Sequence, residues 1–388
     1  MKRLRILHVV PSYLPAFRYG GPIYSVHGLA RATHARGHDV HVFTTNVDGP
    51  AVSNVPTDRS ADMDGVKVRY FRCGVGSRIY RSPDMAAALE NCVRDFDILH
   101  IHSVFLWPTL IAARIAKRVG VPYILAPRGM LVSDLISKKS QIAKLAWISF
   151  FESANLSNAN AVHVTSAIEE LEIRTLGLAV KRFVFVPNGL DLPQQLSATF
   201  GSRSDRPYVL SLGRLSWKKG LDRLIRSFRH VEQADLVIAG NDDENYRTKL
   251  ENIVAECGLT GRVRFVGPVH GDEKWTLIRS AAVFALASYS ENFGNAVLEA
   301  MACGVPVVVT PEVGLALEVQ AEGAGQVVSG DPKVLGRAIA ALLADPAGRE
   351  KLGKAGRAVA ERKYSWGTVA AQMEAAYFDV LQLKSHDA

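Results

Sequence analysis

Short runs of branched apolar residues recur along the chain, each followed by a turn and then a segment with helical periodicity. The opening run LRILHVV leads through PSYLPAFRYGG into PIYSVHGLARATHARG, which carries Pro22 in its first turn and closes on Gly37. These are favoured positions for proline and glycine at the two ends of a helix. DVHVFTT follows as a second strand. The pattern repeats as DILHIHS, a helix around PTLIAARIAKRVG and PYILAP, then as AVHVTS, a helix and RFVFVPNG. Strands this apolar need cover on both faces, which a parallel sheet between two helical layers supplies.

From Asn188 to Pro207 the chain loses periodicity and becomes rich in Gly, Pro and Ser, as a linker does. The alternation then restarts with YVLSLG, GLDRLIRSFRHV, DLVIAG, VRFVG, VFALAS and PVVVT. The expectation is an α/β chain of two Rossmann-like doubly wound domains. Residues 1–190 form the first, 191–207 the linker and 208–365 the second. Residues 366–388, the end of a helical segment from about Asp345 to Leu383, are expected to return to the first domain. A chain of 388 residues suits two such domains. Ligands of such sheets bind at the carboxyl ends of the strands, and two units facing across a cleft would share one site.

The charge is uneven. Residues 1–195 hold 23 Lys+Arg against 15 Asp+Glu, so the whole net charge of +8 belongs to the first half. That excess points to an acidic partner, nucleic acid or an anionic membrane surface. The segment from Leu131 to Phe151 adds Lys138, Lys139 and Lys144 among Leu, Ile, Trp147, Phe150 and Phe151, a composition suited to a membrane interface. No recognition helix or aromatic stacking pattern supports nucleic acid. No apolar run is long enough to span a bilayer, and MKRLRILHVVP reads as a first strand rather than a signal peptide. Cys73, Cys92, Cys257 and Cys303 show neither metal spacing nor a paired framework, as in a reducing cytosol. The expected location is the cytoplasm, peripheral at the inner face of the plasma membrane.

Candidate chemistry concentrates at strand ends. In SENFGNAVLEAMACGVPVVV a helix begins near Asn295, and Glu291 and Glu299 stand eight positions apart around its N-terminus. Free backbone N–H groups and the helix dipole favour anionic or hydroxyl-rich ligands there, Gly294 permits close approach, and a carboxylate accepts from two vicinal hydroxyls at once. GRLSWKKG places Arg214 and Lys219 after a strand, where fixed cations stabilise a developing negative charge. Gly20 and Gly21 precede a helix. His100 and His102 share a strand face, and Arg128 follows PYILAP. Asp95-Phe96-Asp97 imitates a metal-binding DxD but stands before a strand, the wrong end for a ligand; no metal is expected.

The succession GG, HIH, PNGLD, GRLSWKKG and SENFGNAVLEAMACGVPVV resembles the retaining GT-B-type glycosyltransferases often called family 4. The stretches RYFRCG, SPDM, HIHSVFLWP and APRGML are most similar to bacterial members that build exopolysaccharide or O-antigen repeat units. The resemblance implies a nucleotide-diphosphate sugar as donor substrate, no cofactor, and a glycan acceptor that is lipid-linked. It implies that Glu291 contacts the donor sugar, that Glu299 accepts from the ribose, and that Arg214 and Lys219 hold the leaving diphosphate. Asn292, Phe293, Gly294 and Asn295 would lie on the donor between the two glutamates, Gly267 would meet the nucleobase through its backbone, and Gly20 and Gly21 would close over the diphosphate or the acceptor. His102 would lie near the reacting sugar. Arg128 stands where many relatives carry His or a neighbour of it, which suggests an anionic acceptor group. A sugar-nucleotide epimerase of similar architecture is the alternative. The donor base, the sugar and the linkage are not legible.

Overall fold

The structure, a computed structural model, describes residues 2–74, 77–132, 141–191, 206–242 and 245–386. Lys138 and Lys139 of the basic segment lie outside these residues, as does all of the linker except Asp191, Arg206 and Pro207. The chain divides into two compact units, residues 1–189 with 366–388, and residues 190–365.

In the first unit, β1 (Arg5–Val9), α1 (Gly21–Ala35), β2 (Asp39–Thr45), β3 (Ser60–Met63), β4 (Val66–Phe71), α2 (Pro83–Cys92), β5 (Ile98–His102), α3 (Trp107–Val119), β6 (Tyr123–Ala126), β7 (Ala161–Val164) and β8 (Phe183–Phe185) build one sheet and its cover. The strand order is β8-β7-β6-β5-β1-β2-β4-β3, parallel throughout except β3, which pairs antiparallel at the edge. The expected parallel sheet thus carries one antiparallel strand at its edge. The short DG turn between β3 and β4, at Asp64 and Gly65, makes the hairpin.

The two faces of this sheet read directly from residue parity. Leu7, Val9, Leu99 and Ile101 pack against α2 and α3, while Leu4, Ile6 and Ile98 pack against Val369, Met373 and Tyr377 of the last helix, Trp366–His386. On that second face the next positions along β1 and β5 are His8, His100 and His102. Apolar anchoring residues thus give way to imidazoles toward the carboxyl ends of the strands. The last helix is seated by Trp366, whose ring fills the space that a side chain at Gly28 or Gly189 would occupy.

The second unit contains β9 (Tyr208–Leu212), α4 (Leu221–Ser227), β10 (Asp235–Ala239), α5 (Arg247–Glu256), β11 (Val263–Gly267), α6 (Gly271–Arg279), β12 (Val283–Leu286), α7 (Asn295–Ala302), β13 (Val307–Val309) and β14 (Gly325–Val327). Its sheet is wholly parallel in the order β11-β10-β9-β12-β13-β14. This is the Rossmann order, which reverses between β9 and β12. The continuous helix expected over Asp345–Leu383 is two helices, Pro346–Lys363 and Trp366–His386. The break has a backbone cause: Tyr364 O accepts from Leu190 N at 2.8 Å and Ser365 bridges to Leu190, so the chain leaves helical geometry there.

Candidate active site

In the second unit the candidate residues gather at the reversal point between β9 and β12. After β9 the chain runs through Gly213, Arg214 and Lys219 to Gly220; after β12 it runs to Glu291. The Lys219 ammonium donates to the Glu291 carboxylate, and both side chains are about one-fifth exposed. Gly213 backs this lysine closely, since a Cβ there would lie 3.1 Å from Lys219 Cε. Arg214 is exposed and makes no hydrogen bond or ion pair with a described residue.

The loop before α7 is held by its backbone. Glu291 N donates to Glu312 O at 3.0 Å, Gly314 N to Glu291 O at 2.8 Å, and Leu315 N to Phe293 O at 3.0 Å. Gly294 caps α7 with φ 99°, a conformation a side chain would strain. Phe293 is buried beneath it, and Asn292 and Asn295 remain partly exposed. Gly314 fits directly under the loop, for its Cβ would fall 2.0 Å from Asn292 O. Glu299, one-sixth exposed, accepts from Lys274 of α6 at 2.9 Å. Each glutamate is therefore met by a lysine from another element. Gly267, with φ 78° at the end of β11, lines a cavity of about 160 Å³ with Leu215, Gly240, Asp242, Phe265 and Pro268.

In the first unit, β1 and β5 are the corresponding reversal point, and there the imidazoles form two hydrogen-bonded rows. Arg128 Nη2 and Nε lie 3.2 and 3.4 Å from His102 Nδ1. A guanidinium can only donate, so His102 Nδ1 carries no proton and its Nε2–H donates to His8 Nδ1 at 2.9 Å. His8 is then protonated on Nε2, a buried N–H without a partner in the structure. In the second row, His163 Nε2–H donates to Val186 O at 2.7 Å, so His163 Nδ1 accepts from His100 Nε2–H at 3.1 Å, and His100 Nδ1 accepts from Tyr377 OH at 2.8 Å. The Arg128 contact requires His102 and His8 to be neutral, and burial keeps His100 and His163 neutral as well. Burial, then the charge of Arg128, pushes His8 down to about 3; the same causes bring His163 to about 3. Burial holds His102 and His100 well below the usual histidine value, Arg128 being the next cause for His102 and the neighbouring imidazoles for His100.

This arrangement departs from the expected placement of His102 against a ligand. Its side chain is 0% exposed and both nitrogens are occupied by protein groups. The group it presents outward is Arg128, which is partly exposed, donates from Nη1 to Asn188 Oδ1 at 2.9 Å and makes no ion pair with a described carboxylate. Burial lowers the guanidinium to about 10. Arg128, Ser103 and Phe105 all adopt positive φ (57°, 76° and 64°) although none is glycine, and such strain gathers where a backbone is held for function. Gly20 has φ 64°, and Gly21 opens α1 one residue before Pro22. Among the described residues, His8, His100 and His102 alone bring metal-ligating atoms together, within 4.8 Å. Both nitrogens of His100 and His102 are already hydrogen-bonded and a guanidinium adjoins, so the trio fits its place in the two hydrogen-bonded rows better than a cation. Asp97 of the DxD lookalike accepts from Arg5 N at 2.7 Å.

Two family models match in chain order: "Glycosyl transferase 4-like domain" over residues 20–189 and "Glycosyl transferases group 1" over residues 194–359. The chain belongs to the group 1 glycosyltransferases. This glycosyltransferase is 28% identical over 386 residues to a D-inositol 3-phosphate glycosyltransferase of Xylanimonas cellulosilytica, covering 91% of this chain and 90% of that one. It is 27% identical over 391 residues to an uncharacterized glycosyltransferase of Methanocaldococcus jannaschii, with 95% and 96% covered. Among solved structures it resembles sucrose-phosphate synthase from Thermosynechococcus elongatus (TM-score 0.78, 24% identity, 98% and 100% covered) and Anabaena HepE in complex with UDP-glucose (TM-score 0.72, 19% identity, 97% and 100% covered). The fold is GT-B.

Sequence reasoning missed Lys274, Gly314, His8, His163 and Tyr377. His8 was within reach, because it continues the parity of Leu4 and Ile6 on a strand adjoining HIH. Lys274 was not, since nothing in its helix marks it as the partner of Glu299.

Proposed function

We propose that this glycosyltransferase moves a hexose from a nucleoside-diphosphate sugar to a glycan acceptor carrying an anionic group, lipid-linked in polysaccharide assembly, with retention at the anomeric carbon. The observation that carries the reading is the convergence of Arg214, Lys219, Glu291 and the Gly294 helix terminus at one reversal point of the second unit. Arg214 and Lys219 hold the departing diphosphate, Glu291 and the Phe293–Gly294 backbone hold the sugar hydroxyls, and Glu299 accepts from the ribose. The cavity beside Gly267 takes the base. Glu291 is held by a lysine, which suits a binding carboxylate rather than a nucleophile. The acceptor hydroxyl then attacks the face that the diphosphate leaves. The anomeric carbon–phosphate oxygen bond breaks, the new glycosidic bond forms, and the hydroxyl proton passes to the departing phosphate oxygen.

In the first unit Arg128 is the acceptor-binding group, a partly exposed cation that makes no ion pair with a described carboxylate, Glu169 acting on it only at longer range, and His102 supports it. Its relatives named for inositol 3-phosphate fit an acceptor that carries phosphate. Replacing Glu291 by Ala or Lys219 by Ala should lower transfer about 100- to 1,000-fold, with the circular dichroism spectrum unchanged. Near-wild-type turnover in both variants would overturn the assignment. Incubation with donor alone separates an epimerase, which converts it without acceptor.

A peripheral membrane site is supported by Ile142 (86% exposed), Leu145 and Phe150 (74% exposed) around Lys144. Among the described residues no helix is long and apolar enough to cross a membrane. Phe150→Ser with Ile142→Ser should lower co-flotation with phosphatidylserine vesicles and leave neutral vesicles unaffected; equal flotation of variant and wild type refutes the contact.

A further inference from the structure

We infer that Arg223 is a positioning residue that sets the course of the Glu291 loop, an inference that rests on the donor role proposed for Glu291. Arg223 lies on the buried side of α4 and is 9% exposed, a charged residue among Leu221, Leu224 and Ile225. Its guanidinium reaches the exit of β12. Nε donates to Ala287 O at 2.5 Å, Nη2 donates to Ser288 O, and Nη2 also reaches Thr310 Oγ1 at 3.3 Å. Thr310 Oγ1 donates to Ser288 O at 2.9 Å, which ties the same carbonyl to the end of β13.

The two carbonyls occupy residues that are 0% exposed. They lie past the last ladder position of β12, so without Arg223 they would be buried acceptors lacking their strongest donor. Arg223 Cζ sits 4.1 Å from the centroid of the Tyr289 ring, whose hydroxyl donates to Asp222 Oδ2 at 3.0 Å and whose N–H donates to Lys218 O at 2.7 Å. Glu312 lies 3.6 Å from Nη2 and supplies the counter-charge; Glu312 O in turn accepts from Glu291 N. One planar cation therefore fixes residues 287, 288 and 289, and through Glu312 the backbone of residue 291. A lysine in its place would keep the charge but could neither fork between two carbonyls nor stack. Gly330 leaves room for it, since a Cβ there would lie 2.0 Å from Arg223 Nη1.

The test compares Arg223→Lys, Arg223→Ala and Gly330→Ala with Glu291→Gln, using whichever of a UDP-, GDP- and ADP-sugar panel the wild type turns over. The Gly330 variant displaces the flexible guanidinium without deleting it, so it survives if the Arg223 variants fold poorly. We expect kcat to fall about 10–100-fold in Arg223→Lys and Gly330→Ala, the scale of an ångström-sized misplacement, with the Kd for the nucleoside diphosphate within about twofold of wild type. Added guanidinium ion should restore part of the Arg223→Ala activity and none in Glu291→Gln. Amide exchange at Tyr289 and Glu291 should quicken in Arg223→Lys while β9 and β10 keep their protection, a readout independent of any donor. Wild-type kcat and exchange in both Arg223→Lys and Gly330→Ala overturn the clamp, as does a loss of kcat matched by equal loss of nucleotide affinity. Wild-type kcat in Glu291→Gln refutes instead the donor role itself.

Discussion

The two units share one topology and equip it with opposite chemistry. Both sheets reverse strand order beside their first strand, β1 against β5 in one and β9 against β12 in the other. In the first unit the reversal point is lined by neutral imidazoles that end on one arginine; in the second it is lined by lysine–glutamate pairs and a glycine-capped helix. Placement follows from the fold, because strand ends diverge there. Chemistry follows from depth. The imidazoles stand on the strands themselves, under the last helix, where only an uncharged ring is tolerated. The ion pairs stand beyond the strands, Lys219–Glu291 on the connecting loops and Lys274–Glu299 between α6 and α7, partly exposed so that water still screens them.

That contrast is broken most sharply by acid. Free histidine titrates near 6.5, whereas His8 and His163 are held to about 3 in the folded first unit. Between these values the unfolded chain binds protons that the folded one does not, so stability is full above pH 6.5 and falls as pH drops below it. At pH 4.5 each of these two rings should cost the first unit about 2–3 kcal/mol. The second unit's two histidines, His230 and His270, are exposed. Calorimetry from pH 7.5 to 4.5 should show the first unit's transition moving down much further; parallel movement of both would refute the neutral rows.

Single substitutions sharpen the same comparison. Gly314→Ala forces a Cβ against the Asn292 carbonyl, which backbone movement alone can relieve, and should destabilise the second unit by about 1–3 kcal/mol while impairing donor turnover. Tyr377→Phe removes the donor to His100 Nδ1 found among the described residues and should cost the first unit about 1–2 kcal/mol, with the second unit's denaturation midpoint unmoved. Smallest of all, Lys274→Ala should change stability by less than about 1 kcal/mol, because that pair is partly exposed; a larger loss would show that it behaves as a buried pair.

Much of the second site was legible because its residues contradict their surroundings. A glutamate inside the apolar helix NAVLEAMA and a glycine before it have no packing purpose, and a basic run after a buried strand has none either. The histidines of HIH were legible as a pair and His8 by its parity on β1, but nothing in the sequence showed that these rings meet or that β7 supplies a fourth. Arg223 gave no signal, because an arginine on a surface-length helix is ordinary until a strand end is seen above it.

The amino-acid order by itself determined the alternation of buried strands and helices, the parity that sends His8, His100 and His102 to one face, and the two glutamates around a helix N-terminus. These are local properties, set by side-chain period and by glycine and proline. Tertiary structure alone decided which lysine meets which glutamate, which nitrogen of each imidazole carries the proton, and that His102 faces Arg128 instead of solvent. Those outcomes depend on contacts between distant segments, and only packing fixes the distance across which a proton or a charge is shared.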